Sequence, residues 1–198
     1  MTTNKWLKYI IYVGIFAIPF IPLIVNETAF FPFITGKNFA FRVIVEIVFA
    51  LWAILALRDK SSRPEKSGIL YAVLALGAIG TLATIFGLNP YRSFWSNYER
   101  MDGLINLLHL VAYFVVLASV LRDRVKWFWL ANTALVADAY IITYGFLQLA
   151  GKAGVHQGST RLDASLGNSA YLAVYTLFMI FISAYLLSLA WTKNKLLT

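Results

Sequence analysis

The chain has 198 residues, is 60% hydrophobic and only 13% charged, and carries a formal net charge of +8. Soluble domains run at about half apolar and a quarter charged. This composition, with a mean hydropathy of +0.72, therefore reads as an all-α polytopic membrane protein. It leaves no length for a separate soluble domain, so residues 1–198 are expected to form a single transmembrane domain. The basic balance reflects topology rather than a nucleic-acid partner, because no basic run is interleaved with aromatics on a soluble face. With no cysteine, disulfides, thiol nucleophiles and cysteine metal sites are excluded.

Six runs approach the roughly 20 apolar residues that a membrane helix needs: about 7–25, 38–57, 68–86, 104–121, 127–149 and 170–191. Lys5 and Lys8 precede the first. The run ends in VNETAFF with no small-residue cleavage site, so it reads as an uncleaved signal anchor. PFIP at 19–22 should kink it by removing backbone donors, and FFPF at 30–33 sets aromatics at interfacial depth. In the second span Arg42 and Glu46 lie one turn apart, a spacing that suits an ion pair. The pair reads either as a functional charge inside the bundle or as a structural pair with Arg42 snorkelling outward.

After the third span comes SFWSNYERMDG at 93–103, aromatic and charged but with no helical pattern of its own. It runs into the fourth span, where Asp102, Asn106, His109 and Tyr113 are spaced to share one helix face. At 1.5 Å per residue that stripe extends about 16 Å inward. It is either the polar wall of a cavity or a helix cap followed by hydrogen bonds to neighbouring spans. The fifth span carries an isolated Asp138, which fits either proton coupling or a structural hydrogen bond. Thr133, Tyr140, Tyr144 and Gln148 form a second polar stripe there. Before the sixth span, Arg161 lies six residues ahead of Gly167, and Asn168 is placed to cap the helix. An arginine beside a helix start is suited to an anion, although the spacing alone favours a capped helix with a solvated Arg161.

Orientation follows the Lys and Arg count in the loops. Eleven of the 17 fall in the N-terminus, 58–67, 122–126 and the C-terminal KNK. Five fall in 26–37, 87–103 and 150–169, and Arg42 lies within a span. Both termini are thus expected in the cytoplasm, with the longer Gly-, Asn- and aromatic-rich loops facing outward. Walker, GxSxG and Asp-x-Asp motifs are absent, and so is a Cys/His metal cluster.

FFPFITGKNFAFR at 30–42, NPYRSFWSNYERMDG at 89–103, and Arg161 followed by GNSAYLA at 167–173 resemble the N-terminal spans of bacterial O-antigen ligase and O-antigen polymerase-like proteins. The resemblance covers most of the chain, with Ser169 where the family usually has proline. It implies a membrane-embedded glycosyltransferase of the bacterial inner membrane. Such an enzyme moves a glycan from an undecaprenyl-pyrophosphate carrier on the periplasmic face without metal, nucleotide or other cofactor. Family members usually have about twice as many spans and a later acceptor-activating histidine, so the resemblance implies an incomplete member, inactive alone. Arg161 matches the family arginine. Arg161, Arg100, Arg92 and Asn168 are then expected to bind the pyrophosphate-linked glycan, and the 93–103 stretch to rim its cavity. A lipid-linked glycan transporter or flippase, using Asp138 and the Arg42–Glu46 pair, is the alternative, as is a non-catalytic scaffold. The acceptor and the sugar are left open.

Overall fold

A computed structural model describes residues 3–97, 99–156 and 161–195, with side chains from Asn4 to Trp191 within those ranges. Among the described residues the architecture is all-α: α1 (Thr3–Ala17), α2 (Thr35–Arg58), α3 (Gly68–Ile85), α4 (Pro90–Trp95), α5 (Leu104–Val120), α6 (Arg124–Leu149) and α7 (Ser169–Lys195). Five segments, built on α1, α2, α3, α6 and α7, are long and apolar enough to cross a membrane. At 17 residues α5 is the shorter apolar helix.

Local chemistry sets the boundaries. Where PFIP was expected to kink the first span, α1 gives way to a 3-10 turn, Ile18–Leu23, because proline offers no donor to the α ladder. α2 starts three residues earlier than the apolar run suggests, as the amides of Ile34 and Thr35 both donate to the Phe31 carbonyl. Ser67 caps α3 by accepting from the Leu70 amide at 3.2 Å. The segment expected to lack a helix contributes to one. Asn89 Oδ1 accepts from the Arg92 amide at 3.0 Å, and Pro90 sits in the first turn of α4, where it has no bonded N–H to lose. Asn168 caps α7, its Oδ1 accepting from the Ala170 amide at 2.8 Å.

The chain forms two compact units, Met1–Ile21 with Asn26–Asp123, and Pro22–Val25 with Arg124–Thr198. In the first, α2 packs between α1 and α5, and α3 packs on α5. Ile11, Ile15, Val45, Val48, Leu55 and Val116 are its most buried apolar side chains. Gly14 lets α1 approach α2 closely, since a Cβ there would collide with Val48. In the second unit α6 packs against α7, with Ala137 and Ile141 fully buried.

Ion pairs mark one end of the first unit. Lys8 meets Asp59 at 3.4 Å, Arg122 meets Glu65 at 3.6 Å, and the Arg122 guanidinium donates to the Arg63 carbonyl. At the opposite end, the starts of α2 and α5 come together under the segment that joins α4 to α5.

Candidate functional site

α4 ends at Ser96, whose φ is +63°, and the chain reaches α5 through Glu99 at +59° and Met101 at +50°. Three non-glycine residues in the left-handed region within six positions cost energy that the surroundings must supply. α2 supplies much of it. Arg42, only 5% exposed, sends its guanidinium to the carbonyls of Met101 at 2.6 Å and Arg100 at 3.3 Å. Asn38, one turn earlier on the same face, donates to the Arg100 carbonyl at 2.7 Å and approaches Asp102 at 3.4 Å. Glu99 reaches back to the start of α2, accepting from the Phe31 amide at 3.2 Å and the Thr35 hydroxyl at 3.0 Å. At the far side of the loop Gly103 sits against the carbonyls of Ser93 and Phe94, where any Cβ would collide.

Arg42 and Glu46, expected as a pair, each make their hydrogen bonds elsewhere. Arg42 spends its hydrogen bonds on loop carbonyls, and its Nε is buried without a partner. Glu46 turns to α5, where its Oε1 lies 3.1 Å from His109 Nε2, while His109 Nδ1 donates to the Ile105 carbonyl at 2.7 Å. The physical reason is that the loop carbonyls would otherwise be left without donors, whereas the largely exposed Glu46 can be solvated.

The stripe on α5 faces α2 at three of its four positions. Asp102 contacts Asn38, His109 contacts Glu46, and Tyr113 packs edge-on against Phe41 with ring centroids 5.8 Å apart. Asn106 is half-buried. Asp102 does not cap α5, whose cap residue Gly103 has no side chain to offer. It pairs instead with Arg100, Nε to Oδ2 at 3.4 Å, an ion-pair contact too poorly aligned to be a hydrogen bond. The Arg100 guanidinium also lies 5.5 Å from the centre of the Phe31 ring. Arg92 is exposed on α4. Tyr98 lies outside the described residues. Above the loop, Tyr91, Trp95, Ser96, Asn97 and Met101 line a cavity of about 410 Å³.

In the second unit Arg161 is exposed, and Asp138 on α6 is buried with Oδ1 unpaired. The other α6 stripe divides: Tyr140 is exposed, Thr133 bonds back to the Trp129 carbonyl, and Gln148 is buried. Gln148 belongs to a cluster that sequence spacing does not reveal. Its Nε2 donates to Asp163 Oδ1 at 2.6 Å and the Gly154 carbonyl at 2.7 Å. Its Oε1 accepts from the amides of Asp163 at 3.2 Å and Ala164 at 2.9 Å. Asp163, 1% exposed, also accepts from the His156 amide at 2.9 Å, with the His156 ring 3.3 Å away. Fifteen residues separate Gln148 from Asp163, so no helical period connects them. Ser165 donates to the Pro22 carbonyl at 2.9 Å. Arg92, Arg100 and the α5 stripe thus belong to one unit, and Arg161, Asn168 and Asp138 to the other.

No protein-family model matches the chain, and no curated protein or solved structure is significantly similar to it.

Proposed function

We propose that this is a membrane glycosyltransferase of the O-antigen ligase and polymerase type, handling a glycan on an undecaprenyl-pyrophosphate carrier. One observation carries the reading: the strained loop 96–103, tied down from below by Arg42, Asn38 and Glu99, with a cavity above it lined by Tyr91, Trp95, Ser96, Asn97 and Met101. Strain held in place by surrounding contacts is characteristic of binding sites. Flat aromatic faces beside amide and hydroxyl groups suit a sugar, which presents C–H bonds and hydroxyls together. Arg92, exposed on α4, is the cation that the first unit offers to a pyrophosphate beside this cavity; Arg161, in the second unit, is proposed as a pyrophosphate ligand on the resemblance alone. Arg100 is a weaker ligand, since Asp102 and Phe31 already engage it.

In this reading α5 is a sixth span, at the short end of the range of roughly 17–25 residues. The chain sits in a bacterial inner membrane with both ends cytoplasmic and the glycan site periplasmic. The ion pairs of Lys8–Asp59 and Arg122–Glu65 support that placement, because they gather two cation-rich loops at one end.

The test uses the chain in lipid vesicles and a short-chain prenyl pyrophosphate, with and without an attached sugar. Arg161→Ala should weaken both ligands by roughly ten- to a hundredfold, the loss of a charge-assisted contact, and Arg161→Lys by less. Trp95→Ala, tested separately for the cavity of the first unit, should weaken the sugar-bearing ligand by about three- to tenfold. Wild-type affinity in folded Arg161→Ala would overturn the assignment. The transporter reading is favoured by one feature, the unpaired buried oxygen of Asp138. Proton-driven glycolipid uptake that is lost in Asp138→Asn would select it instead.

A further inference from the structure

At the opposite end of α6 from the Gln148 cluster, α6 and α7 part to leave a second cavity of about 490 Å³. Arg124, Trp127, Phe128 and Ala131 line it from α6, and Tyr185 and Leu189 from α7. The geometry points to a binding site for one anionic phospholipid, with its phosphate on Arg124 and an acyl chain lying between the two helices.

Three observations carry this. First, the lining is graded. Arg124 is the first residue of α6, Trp127 and Phe128 lie one turn further in, and Ala131 another turn, so the charge sits roughly 10 Å from the apolar floor. That gradient matches the passage from headgroup to acyl chain, with an aromatic at interfacial depth. Second, Arg124 is exposed, and among the described residues its side chain makes no ion pair or hydrogen bond. Its neighbour Arg122 is engaged with Glu65 and Arg63. Third, Ala131 is small where the helices separate, so the space is a consequence of the sequence. A soluble anion would match Arg124 but leave the apolar floor uncovered, and a neutral lipid would match the floor but not the charge. An anionic lipid satisfies both.

The experiment places the chain in phosphatidylcholine vesicles containing brominated phosphatidylglycerol or, separately, brominated phosphatidylcholine. Quenching of Trp127 is read as the difference between wild type and Trp127→Phe. Phosphatidylglycerol should associate about fivefold more strongly than phosphatidylcholine. Arg124→Gln should bring that ratio close to one. Lys126→Gln removes the same charge from a residue that does not line the cavity, and should leave the ratio unchanged. Ala131→Phe, with helicity checked by circular dichroism, should fill the space and reduce quenching by both lipids. Equal quenching in wild type overturns the proposal. So does a preference that survives Arg124→Gln, a loss in Lys126→Gln as large as in Arg124→Gln, or unaltered quenching in Ala131→Phe. Abolition of the preference by soluble glycerophosphate would show that the acyl chain is not needed, and would overturn it too.

Discussion

Two irregular stretches, 96–103 without Tyr98 and 150–168 without 157–160, solve one problem in opposite ways. Each must satisfy backbone groups that no helix pairs, beside helices whose flanks are apolar. In the first, charges do the work: a guanidinium from inside α2 takes two carbonyls, and the Glu99 carboxylate takes an amide and a hydroxyl. In the second, a neutral amide does most of it, with Gln148 supplying donor and acceptor to backbone on both sides while Asp163 closes the ring. The contrast teaches that polar residues near the ends of spans can serve as loop anchors. An intramembrane charge such as Arg42 therefore needs no transport role to account for it.

Breaking the neutral anchor should cost most. Gln148→Leu keeps the bulk but strands two amides and a carbonyl, each worth about 1–3 kcal/mol when unpaired, and takes one donor from the buried Asp163 carboxylate. A loss of about 4 kcal/mol is expected in denaturant unfolding of the reconstituted protein, with new protease cleavage within 150–168. A loss under about 1 kcal/mol would show that the cluster does not form.

Arg42→Met should come next, at about 1–3 kcal/mol, since it frees the Met101 carbonyl while Asn38 still serves that of Arg100. Hydrogen exchange should rise in 96–103 and stay unchanged in 150–168. Equal acceleration in both would dissolve the comparison. Arg42→Lys should recover only part of the loss, because an ammonium lacks the planar fork.

Gly103→Ala should cost about 2 kcal/mol through overpacking against the Ser93 and Phe94 carbonyls. Exchange should increase in α4 rather than at Arg42.

The smallest effect belongs to the turn after α2, which serves as a control that neither anchor touches. The Ser61 hydroxyl, the Ser62 hydroxyl and the Ser61 amide hold the Asp59 carboxyl at about 2, below its ordinary 3.8, with Lys8 adding to the shift. A depressed carboxylate contributes stability that is complete above about pH 4 and disappears as pH falls through about 2. Exchange at the Ser61 amide should therefore accelerate over that window in wild type. In Asp59→Asn the acid-dependent step should vanish, and a step of unchanged size would remove Asp59 as its cause.

The amino-acid sequence by itself determined the six long apolar helices, most of their ends to within a few residues. Membrane composition leaves helices as the means by which long apolar runs pair their backbone. The Asn168 cap and the proline turn after α1 were legible from neighbouring residues; the caps at Ser67 and Asn89, and with the latter the short α4, are equally local but were not read. The α5 stripe was legible as a face, because 4-3-4 spacing is a property of the helix alone, yet nothing in it says that α2 is what the face meets. Tertiary structure decided the partners. Arg42 and Glu46 are one turn apart, but Arg42 makes its hydrogen bonds to carbonyls 58 and 59 residues later in the chain, those of Arg100 and Met101. Gln148 and Asp163 carry no common period, and they meet only because the loop folds back on α6. Helix formation depends on bonds four residues long, which local sequence encodes. The choice among competing polar partners depends on which unpaired backbone groups the packed helices bring within 3 Å, and that is fixed only when the fold is complete.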